Sequence, residues 1–193
     1  MSLHRDALRT LTAWVPPTAE QAALRDRFGG HLHDHPDGMQ RSCHPDHITA
    51  STIVLSQDAS QVLLTLHRKA GRWLQFGGHC EPGDGRLVDA ALREATEESG
   101  LADLRIDPVP IQLHEHAVPF CGDTGQAHHL DVRFLAVAPR GAVPAVSEES
   151  LDVRWWSVSH LGTHAGPPGL NAEVHQCIQL ARSRLTEPRP RQS

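Results

Sequence analysis

The feature that most constrains this 193-residue chain is an acidic helix directly after a glycine-rich turn, in the segment Gly77–Leu101 (GGHCEPGDGRLVDAALREATEESGL). Glu94, Glu97 and Glu98 stand at positions i, i+3 and i+4, so a helix places their carboxylates side by side. Gly100 predicts the left-handed cap that ends this helix. A neighbouring stripe is apolar or small and comprises Val88, Ala91, Leu92, Ala95 and Ser99. The helix is therefore expected to pack through one face and to present three carboxylates on the next.

The three acids predict a metal site. Adjacent like charges on a helix repel one another, so the cluster requires a cation. Ligand sets made only of oxygen suit hard ions such as Mg²⁺ or Mn²⁺. Arg93 precedes Glu97 by four residues and is expected to hold that carboxylate in position. The competing interpretation is a solvated acidic face, which is what glutamates at helical spacing usually form.

These residues give the segment a resemblance to the Nudix box, Gly-x5-Glu-x7-Arg-Glu-U-x-Glu-Glu-x-Gly-U, where U is apolar. The second half matches at every specified position from Arg93 to Leu101. The first half, which begins at Gly78, departs twice, because Asp84 replaces the first glutamate and one extra residue precedes Arg93. We place the extra residue in the loop around Gly83-Asp84-Gly85, where length changes are tolerated. Whether Asp84 takes the role of the missing glutamate is left open.

The resemblance implies a Mg²⁺- or Mn²⁺-dependent hydrolase that cleaves a phosphoanhydride bond in a nucleoside diphosphate-linked or related small molecule. The candidate catalytic residues are Arg93, Glu94, Glu97, Glu98 and Glu149. The candidate metal ligands are Glu94, Glu97, Glu98 and the backbone carbonyl of Gly78. The candidate substrate-binding residues are Gly77, Gly78, His79 and Trp73. The proton acceptor is left open among Glu94, Glu98 and Glu149.

Strand-like and helix-like segments flank the acidic helix. The predicted strands are Ile48–Leu55, Gln61–Leu66, Trp73–Phe76, Val109–Val118, His129–Val137 and Asp152–Val158. Apolar residues at helical intervals predict a C-terminal helix from about Asn171 to Leu185. This mixture predicts an α/β fold. The resemblance sharpens it to an α/β/α sandwich with a mixed central sheet and an N-terminal helical extension.

The chain divides into three parts: an N-terminal helical extension at 1–45, a Nudix hydrolase domain at 46–186 and a disordered tail at 187–193. An apolar stripe that starts at Leu3 and ends before Pro16 predicts the first helix of the extension. Thr18 opens a second helix, which is expected to end near Gly29-Gly30. The hairpin is expected to pack on the main domain and to cover the site or to form a homodimer contact.

Composition limits the classes of binding partner that are expected for this chain. The net charge of −5 without a basic stripe argues against duplex nucleic acid as a partner. The resemblance implies a small-molecule diphosphate as the partner. Four cysteines without a CxxC pair fit reduced thiols in a cytoplasmic protein. The chain shows neither a signal peptide nor an apolar run of about 18 residues, so a membrane is not an expected partner.

Histidine is abundant, at 15 residues. The run from His31 to His47 is interpreted as a polar, turn-rich loop in preference to a transition-metal site, because prolines interrupt it and it lacks a cysteine pair. His114 and His116 are expected to share one face of a strand. Whether either reaches the cleft is left open, as it is for His128 and His129.

Two other functions remain open at this point. One is a sensor that binds a nucleotide or sugar diphosphate without cleaving it. The other is an enzyme like the isopentenyl diphosphate isomerases of the same superfamily, which use a catalytic cysteine with a glutamate and a histidine-rich metal site; Cys80 keeps this alternative open. Specificity is expected to lie in the N-terminal hairpin and in Phe120–Ala127.

Overall fold

The computed structural model describes residues 2–118 and 127–186, and in it a curled mixed sheet carries helices on both faces. The strands are β1 (Asp46–Leu55), β2 (Gln61–His67), β3 (Arg72–Leu74), β4 (Phe76–His79), β5 (Arg105–Ile106), β6 (Gln112–Ala117), β7 (His128–Val137) and β8 (Ser150–Ser157). The α-helices are α1 (Leu3–Ala13), α2 (Ala19–Asp34), α3 (Leu87–Ser99) and α4 (Ala172–Thr186), and a 3₁₀ turn spans Val158–His160. The predicted α/β class and mixed sheet are confirmed.

Strand β1 lies at the centre of the sheet. It pairs in parallel with β7 along its whole length. It pairs antiparallel with β4, and its last two residues pair antiparallel with the start of β2. Strand β7 in turn pairs with β6 and β5, while β2 pairs with β3 and β8. Strand β4, which contains the glycine pair of the motif, therefore lies directly beside β1, the central strand of the sheet.

The two faces of the central strands differ in chemistry. On one face, Ile48 and Ala50 join the apolar cluster that receives α3 and the N-terminal helices. On the other face, Ile53 and Leu55 pack in the cluster that contains α4. Between that apolar end and the start of β1, the same face carries polar side chains, namely His47, Thr49 and Ser51 from β1 and their partners His129, Asp131 and Arg133 from β7.

The N-terminal helices pack on the sheet and on α3. Phe28 and Leu32 of α2 share an apolar cluster with residues of β1, β6, β7 and α3. The Gln21 side chain accepts a hydrogen bond from the Leu113 N–H (2.7 Å) and donates one to the Leu113 carbonyl (3.0 Å), so it extends the ladder of β6. Helix α1 contacts both α2 and α3. The division at residues 45 and 46 stays a prediction.

The prediction that the second helix ends near Gly29-Gly30 is wrong. Helix α2 continues to Asp34, because burial of the side chains of His31 and Leu32 stabilises another helical turn after the glycines. His31 and His33 accordingly lie in a helix, and His35 caps it, where a loop was expected.

The other predicted elements are present with small shifts. The strand expected at Trp73–Phe76 is interrupted at Gln75 and becomes β3 and β4. The short β5 was not predicted. Residues 187–193 and all of Phe120–Ala127 except Ala127 lie outside the described residues. Within the part that the structure describes, no helix has both the length and the apolar character needed to cross a bilayer.

Candidate active site

Helix α3 is fixed at both ends. At its start, the buried carboxylate of Asp6, from α1, accepts a hydrogen bond from the Leu87 N–H at 2.9 Å. An acid at this position both caps a free N–H group and complements the positive end of the helix dipole. At its end, Gly100 takes the predicted left-handed conformation (φ 68°) and donates to the Thr96 carbonyl. The carboxylates of the helix are thereby held in a defined place against the sheet.

Gly78 lets α3 approach β4 closely, and Gly77 lets β4 approach β1. A Cβ atom on Gly78 would lie 2.7 Å from Oε1 of Glu94, so only a residue without a side chain leaves room for that carboxylate. Gly77 has φ 155°, and a Cβ there would lie 2.3 Å from Cβ of Ser51 on β1. The N–H of Gly77 donates to Oε2 of Glu98 at 3.2 Å. The predicted binding residues Gly77 and Gly78 therefore lie directly against the predicted acids.

Arg93 organises the acidic residues around one guanidinium group. Its Nη1 lies 3.1 Å from Oε1 of Glu94 and 3.1 Å from Oε2 of Glu97, which is the i to i+4 contact expected from the spacing. Its Nε and Nη2 atoms each lie 3.2 Å from an oxygen of Asp84, and Nη2 also donates to the His79 carbonyl at 2.9 Å. These carboxylates raise the pKa of Arg93 against the opposing effect of its burial. Arg93 thus ties α3 to β4 and to the preceding loop.

Asp84 is a partner of Arg93. Its side chain is almost fully buried, and it accepts a hydrogen bond from the Glu81 N–H at 2.7 Å in addition to both contacts with Arg93. These bonds close the loop that contains the extra residue and hold it against the helix. The structure gives Asp84 this bridging position; whether it also ligates a metal stays open.

Glu98 and Glu94 are the buried acids of the cluster. Only 6% of Glu98 is exposed, and burial raises the pKa of its carboxyl to about 8, with further increases from Glu94, Glu149 and Glu97 and an opposing effect from the Gly77 N–H. Burial also raises the pKa of Glu94, although Arg93 opposes it. Buried like charges of this kind resist ionisation unless a cation neutralises them.

Glu97 differs from its two neighbours. Its side chain is 60% exposed and is held by Arg93. Among the described residues, the groups of three His, Cys, Asp or Glu whose ligand atoms lie within 4.8 Å of one another do not include Glu94, Glu97 and Glu98 as a set. The structure therefore brings Glu94 and Glu98 against the glycine pair and leaves Glu97 at the rim.

Glu149 approaches the acids from a different element. It is exposed just before β8, and its charge contributes to the raised pKa of both Glu94 and Glu98. The Arg68 N–H donates to the Glu149 carbonyl at 2.9 Å, and Nε of Arg68 donates to the Glu148 carbonyl at 3.1 Å. These backbone hydrogen bonds place Glu149 near Glu94 and Glu98.

The two remaining predicted binding residues lie elsewhere on the sheet. Trp73 is 5% exposed and packs edge-on against Trp156, with ring centroids 5.1 Å apart, in the apolar cluster of α4. His79 follows Gly78 on β4, so its side chain points to the opposite sheet face, where its ring contacts His47 and His129. The roles of both residues in substrate binding stay predictions.

The polar face around His79 was not assigned a function from the sequence. His47 and His129 are paired across β1 and β7, and each contacts His79. The signal that indicates this face is the alternation of polar residues (His47, Thr49, Ser51 and His129, Asp131, Arg133) with mainly apolar ones in the two strands. A strand buried on both faces would be apolar throughout.

Comparisons with known proteins agree with this geometry. The family model described as NUDIX domain matches residues 45–176. The chain is similar to a NUDIX-family hydrolase from Clostridium perfringens (24% identity, TM-score 0.54, 72% of this chain and 95% of that chain). It is also similar to a C. elegans Ap4A hydrolase in a binary complex (19% identity, TM-score 0.57, 72% and 96%). A third similar structure is the NUDIX domain of Shewanella oneidensis NrtR complexed with ADP ribose (20% identity, TM-score 0.56, 76% and 93%).

At these identities the structural matches show the fold alone. The curated proteins include no match to this chain. The family model covers more than half of the sequence and contains β4, the glycine pair and the whole of α3. The acidic helix, the glycine turn beside it and the family match together identify the chain as a member of the Nudix family.

Proposed function

We propose that this protein is a pyrophosphohydrolase that depends on Mg²⁺ or Mn²⁺ and cleaves a phosphoanhydride bond in a nucleoside diphosphate-linked or related small molecule. Membership of the Nudix family supports hydrolysis of nucleoside diphosphate derivatives in general. The observation that carries the proposal is the position of two buried carboxylates, Glu94 and Glu98, against the Gly77-Gly78 backbone. A site of this kind holds a divalent ion beside phosphate oxygens.

The residues present fit a hard divalent cation. Glu94 and Glu98 offer only oxygen ligands, and burial raises the pKa of both carboxyls, so a bound cation would favour their ionised forms. Gly78 would contribute its carbonyl, and Glu97 would turn inward from the rim. When bound, the ion neutralises charge on the phosphate oxygens and lowers the pKa of a water molecule.

The side chains of the chain itself have separate tasks. Glu94, Glu98 and Glu149 are the candidates for the carboxylate that takes a proton from the attacking water. Arg93 orients Glu94 and Glu97 and joins them to the Asp84 loop. We assign Gly77, Gly78, His79 and Trp73 to the substrate. The neighbouring structures include an Ap4A hydrolase and a domain complexed with ADP ribose, which supports a nucleotide-derived substrate.

The isomerase alternative receives little support from Cys80. This residue is 9% exposed in an apolar cluster, and burial raises the pKa of its thiol to about 12, so the thiol is protonated at neutral pH. The sensor alternative would require the same pocket to bind a diphosphate without cleaving it. Analysis of products from one bound substrate separates the three functions: hydrolysis releases phosphate products, isomerisation yields an isomer, and a sensor yields neither. A cytoplasmic location and a homodimer stay proposals.

The test is Glu98→Gln, which removes the ionisable group and keeps the shape. We expect Mg²⁺-dependent release of phosphate products to fall by more than about tenfold, because an interaction with developing charge is lost. The substrate is first chosen from nucleoside triphosphates, ADP-ribose, dinucleoside polyphosphates and nucleotide sugars. Glu173→Gln, an exposed glutamate on α4, is the matched control and should leave the rate unchanged. A rate unchanged in Glu98→Gln would reject the site.

A further inference from the structure

Three histidines meet on the face of the sheet that lies opposite α3. His47 of β1 is paired in register with His129 of β7, and His79 of β4 is paired with Thr49, two residues along β1 on the same face. The centroid of the His47 ring lies 5.1 Å from that of His79 and 4.9 Å from that of His129, and the His79 and His129 rings are 4.9 Å apart. We call these three residues the histidine triad. Each comes from a different strand, so the sheet itself fixes their relative positions.

The nitrogen atoms of the triad converge. One ring nitrogen from each residue lies within 4.8 Å of the other two. A tetrahedral Zn²⁺ ion with Zn–N bonds near 2.05 Å separates its ligand nitrogens by about 3.3 Å. Small rotations of the rings would therefore close the triad around one ion. His116 of β6 lies next to the triad, and the centroid of its ring is 5.3 Å from that of His129.

The hydrogen bonding of His47 is that of a metal ligand. His47 is fully buried, and its Nδ1 lies 3.2 Å from the carbonyl oxygen of Cys43, so Nδ1 carries the proton and donates it. The lone pair is then on Nε2, which has no hydrogen-bond partner among the described residues. Histidines that ligate metals usually donate their other N–H to a carbonyl or carboxylate in this way. Nε2 of His129 also has no partner within residues 2–118 and 127–186.

The environment keeps the triad neutral, as ligation requires. Burial lowers the pKa of His79 to about 4 and that of His129 to about 3, with the neighbouring imidazoles adding to the effect, and burial likewise lowers the pKa of His47. Neutral imidazoles offer lone pairs at physiological pH. Asp131, buried on the same face and ion-paired with Arg133 at 3.0 Å, lies near His129, and its charge opposes the lowering of that residue's pKa. The charge of the exposed Arg41 opposes a cation, but solvent screens it.

Two other clusters of ligand-type residues are weaker candidates. In the group Asp46, Glu115 and His128, the guanidinium of Arg27 already contacts both carboxylates, so a cation is in place. In the group His35, Asp37 and Cys43, burial raises the pKa of the Cys43 thiol to about 11, with Asp37 adding to the effect. A protonated thiol is a poor metal ligand. Neither obstacle applies to His47 and His129, whose Nε2 atoms have no hydrogen-bond partner among the described residues.

We propose that His47, His79 and His129 bind one transition-metal ion of the Zn²⁺ or Co²⁺ class, at a site separate from the carboxylates of α3. Imidazole ligands suit these ions, whereas Mg²⁺ prefers oxygen and retains its water. The bound ion cross-links β4, which contains the glycine pair, to the two central strands. Three protein ligands leave the fourth tetrahedral position for water or a substrate atom.

The experiment is a Co²⁺ titration of the full chain after removal of metals with a chelator, in the presence of excess Mg²⁺. We expect one equivalent to bind and to give the visible d–d absorption of tetrahedral Co²⁺, which Zn²⁺ then abolishes by displacement. His47→Asn should bind Co²⁺ at least about a hundredfold more weakly, since losing even an outer-shell partner costs ten- to a hundredfold. The matched control is His164→Asn, an exposed histidine outside the sheet, which should bind as the unaltered chain does.

Three results would overturn the proposal. The first is failure of the unaltered chain to bind one equivalent, which requires no variant and holds even if His47→Asn does not fold. The second is unchanged affinity and spectrum in His47→Asn and in His129→Asn. The third is loss of the Co²⁺ spectrum in the double variant Glu94→Gln/Glu98→Gln, which would place the ion on α3. Retention of the spectrum there supports the triad, whether or not that variant hydrolyses diphosphates.

Discussion

The two faces of β4 carry ligands of opposite character. Towards α3, Gly78 lies against the carboxylate of Glu94, and Glu98 bonds to the Gly77 N–H. Towards the other face, His79 contacts His47 and His129. We refer to these as the acidic face and the histidine face. One strand of four residues thus separates a cluster of carboxylates from a cluster of imidazoles.

Burial acts on the two faces in opposite directions. It raises the pKa of Glu98 to about 8 and lowers the pKa of His129 to about 3, because in each case it disfavours the charged form. A neutral carboxyl group loses its ability to ligate, whereas a neutral imidazole gains it. The acidic face therefore needs a cation in order to stay ionised, and the histidine face is ready for one at neutral pH.

Gly78→Ala is expected to give the largest effect, because it should reduce hydrolysis at the acidic face and leave metal binding at the histidine face unchanged. The new Cβ would lie 2.7 Å from Oε1 of Glu94 and would push that flexible carboxylate out of place. We expect hydrolysis to fall by about a hundredfold, the cost of displacing a catalytic group by roughly 1 Å. Steady-state kinetics measure the loss, and Co²⁺ binding at the histidine face should not change.

Gly83→Ala is the matched control for this variant, because a Cβ on Gly83 would meet nothing within 4 Å. It should retain nearly full activity. Equal losses in the two variants would mean that loop flexibility, and not the close approach of Glu94, sets the rate.

The next effect is the contribution of Glu98 to the pH dependence of stability, which has the opposite sign to that of the buried histidines. The pKa of Glu98 rises on folding from 4.5 to about 8, so the folded, metal-free chain holds a proton that the unfolded chain releases. This contribution is fully present below pH 4.5 and is lost as the pH rises through about 8. We expect it to be on the order of 2 kcal/mol after allowance for solvent screening.

Urea unfolding in a chelator at several pH values measures this contribution. Glu98→Gln should remove this contribution, while the opposite contribution of the buried histidines remains, and it should be more stable than the unaltered chain at pH 8. The apparent affinity for Mg²⁺ should increase over the same range, because the ion must displace the proton. The raised pKa of Glu98 would be contradicted if the free energy of unfolding of the metal-free chain, measured relative to that of Glu98→Gln, did not change over this pH range.

The smallest effect is expected on stability, from the residue of α1 that caps the start of α3. Asp6 of α1 caps α3 through the Leu87 N–H, and Asp6→Ala should reduce the free energy of unfolding by about 1 kcal/mol. Asp6 also pairs with the largely exposed Arg9 at 2.7 Å. Arg9→Ala should cost less, since exposed ion pairs contribute little. Equal losses in the two variants would assign the effect to the ion pair.

The sequence predicts the acidic face better than the histidine face. Spacing on a single helix is enough to group Glu94, Glu97 and Glu98 and to predict the contact between Arg93 and Glu97. The burial of Glu98 and the exposure of Glu97 depend on which side of α3 meets β4, and helical spacing alone does not determine that. The position of Asp84 beside Arg93 depends on the folded loop for the same reason.

The histidine face depends on strand pairing. His47, His79 and His129 are 32 and 50 residues apart along the chain, and they meet only because β4 and β7 flank β1 in a particular register. Local patterns predict β1 and β7 but not their pairing. Tertiary contact likewise explains α2, which continues past Gly29-Gly30 because His31 and Leu32 are buried.

We propose that the carboxylates of α3 hold a divalent ion beside the glycine pair. An anomalous difference map from crystals that contain Mn²⁺ tests it most directly. We expect a peak bonded to Glu94 and Glu98, close to the Gly78 carbonyl. A map without a peak at that position, with both carboxylates turned away from β4, would contradict it.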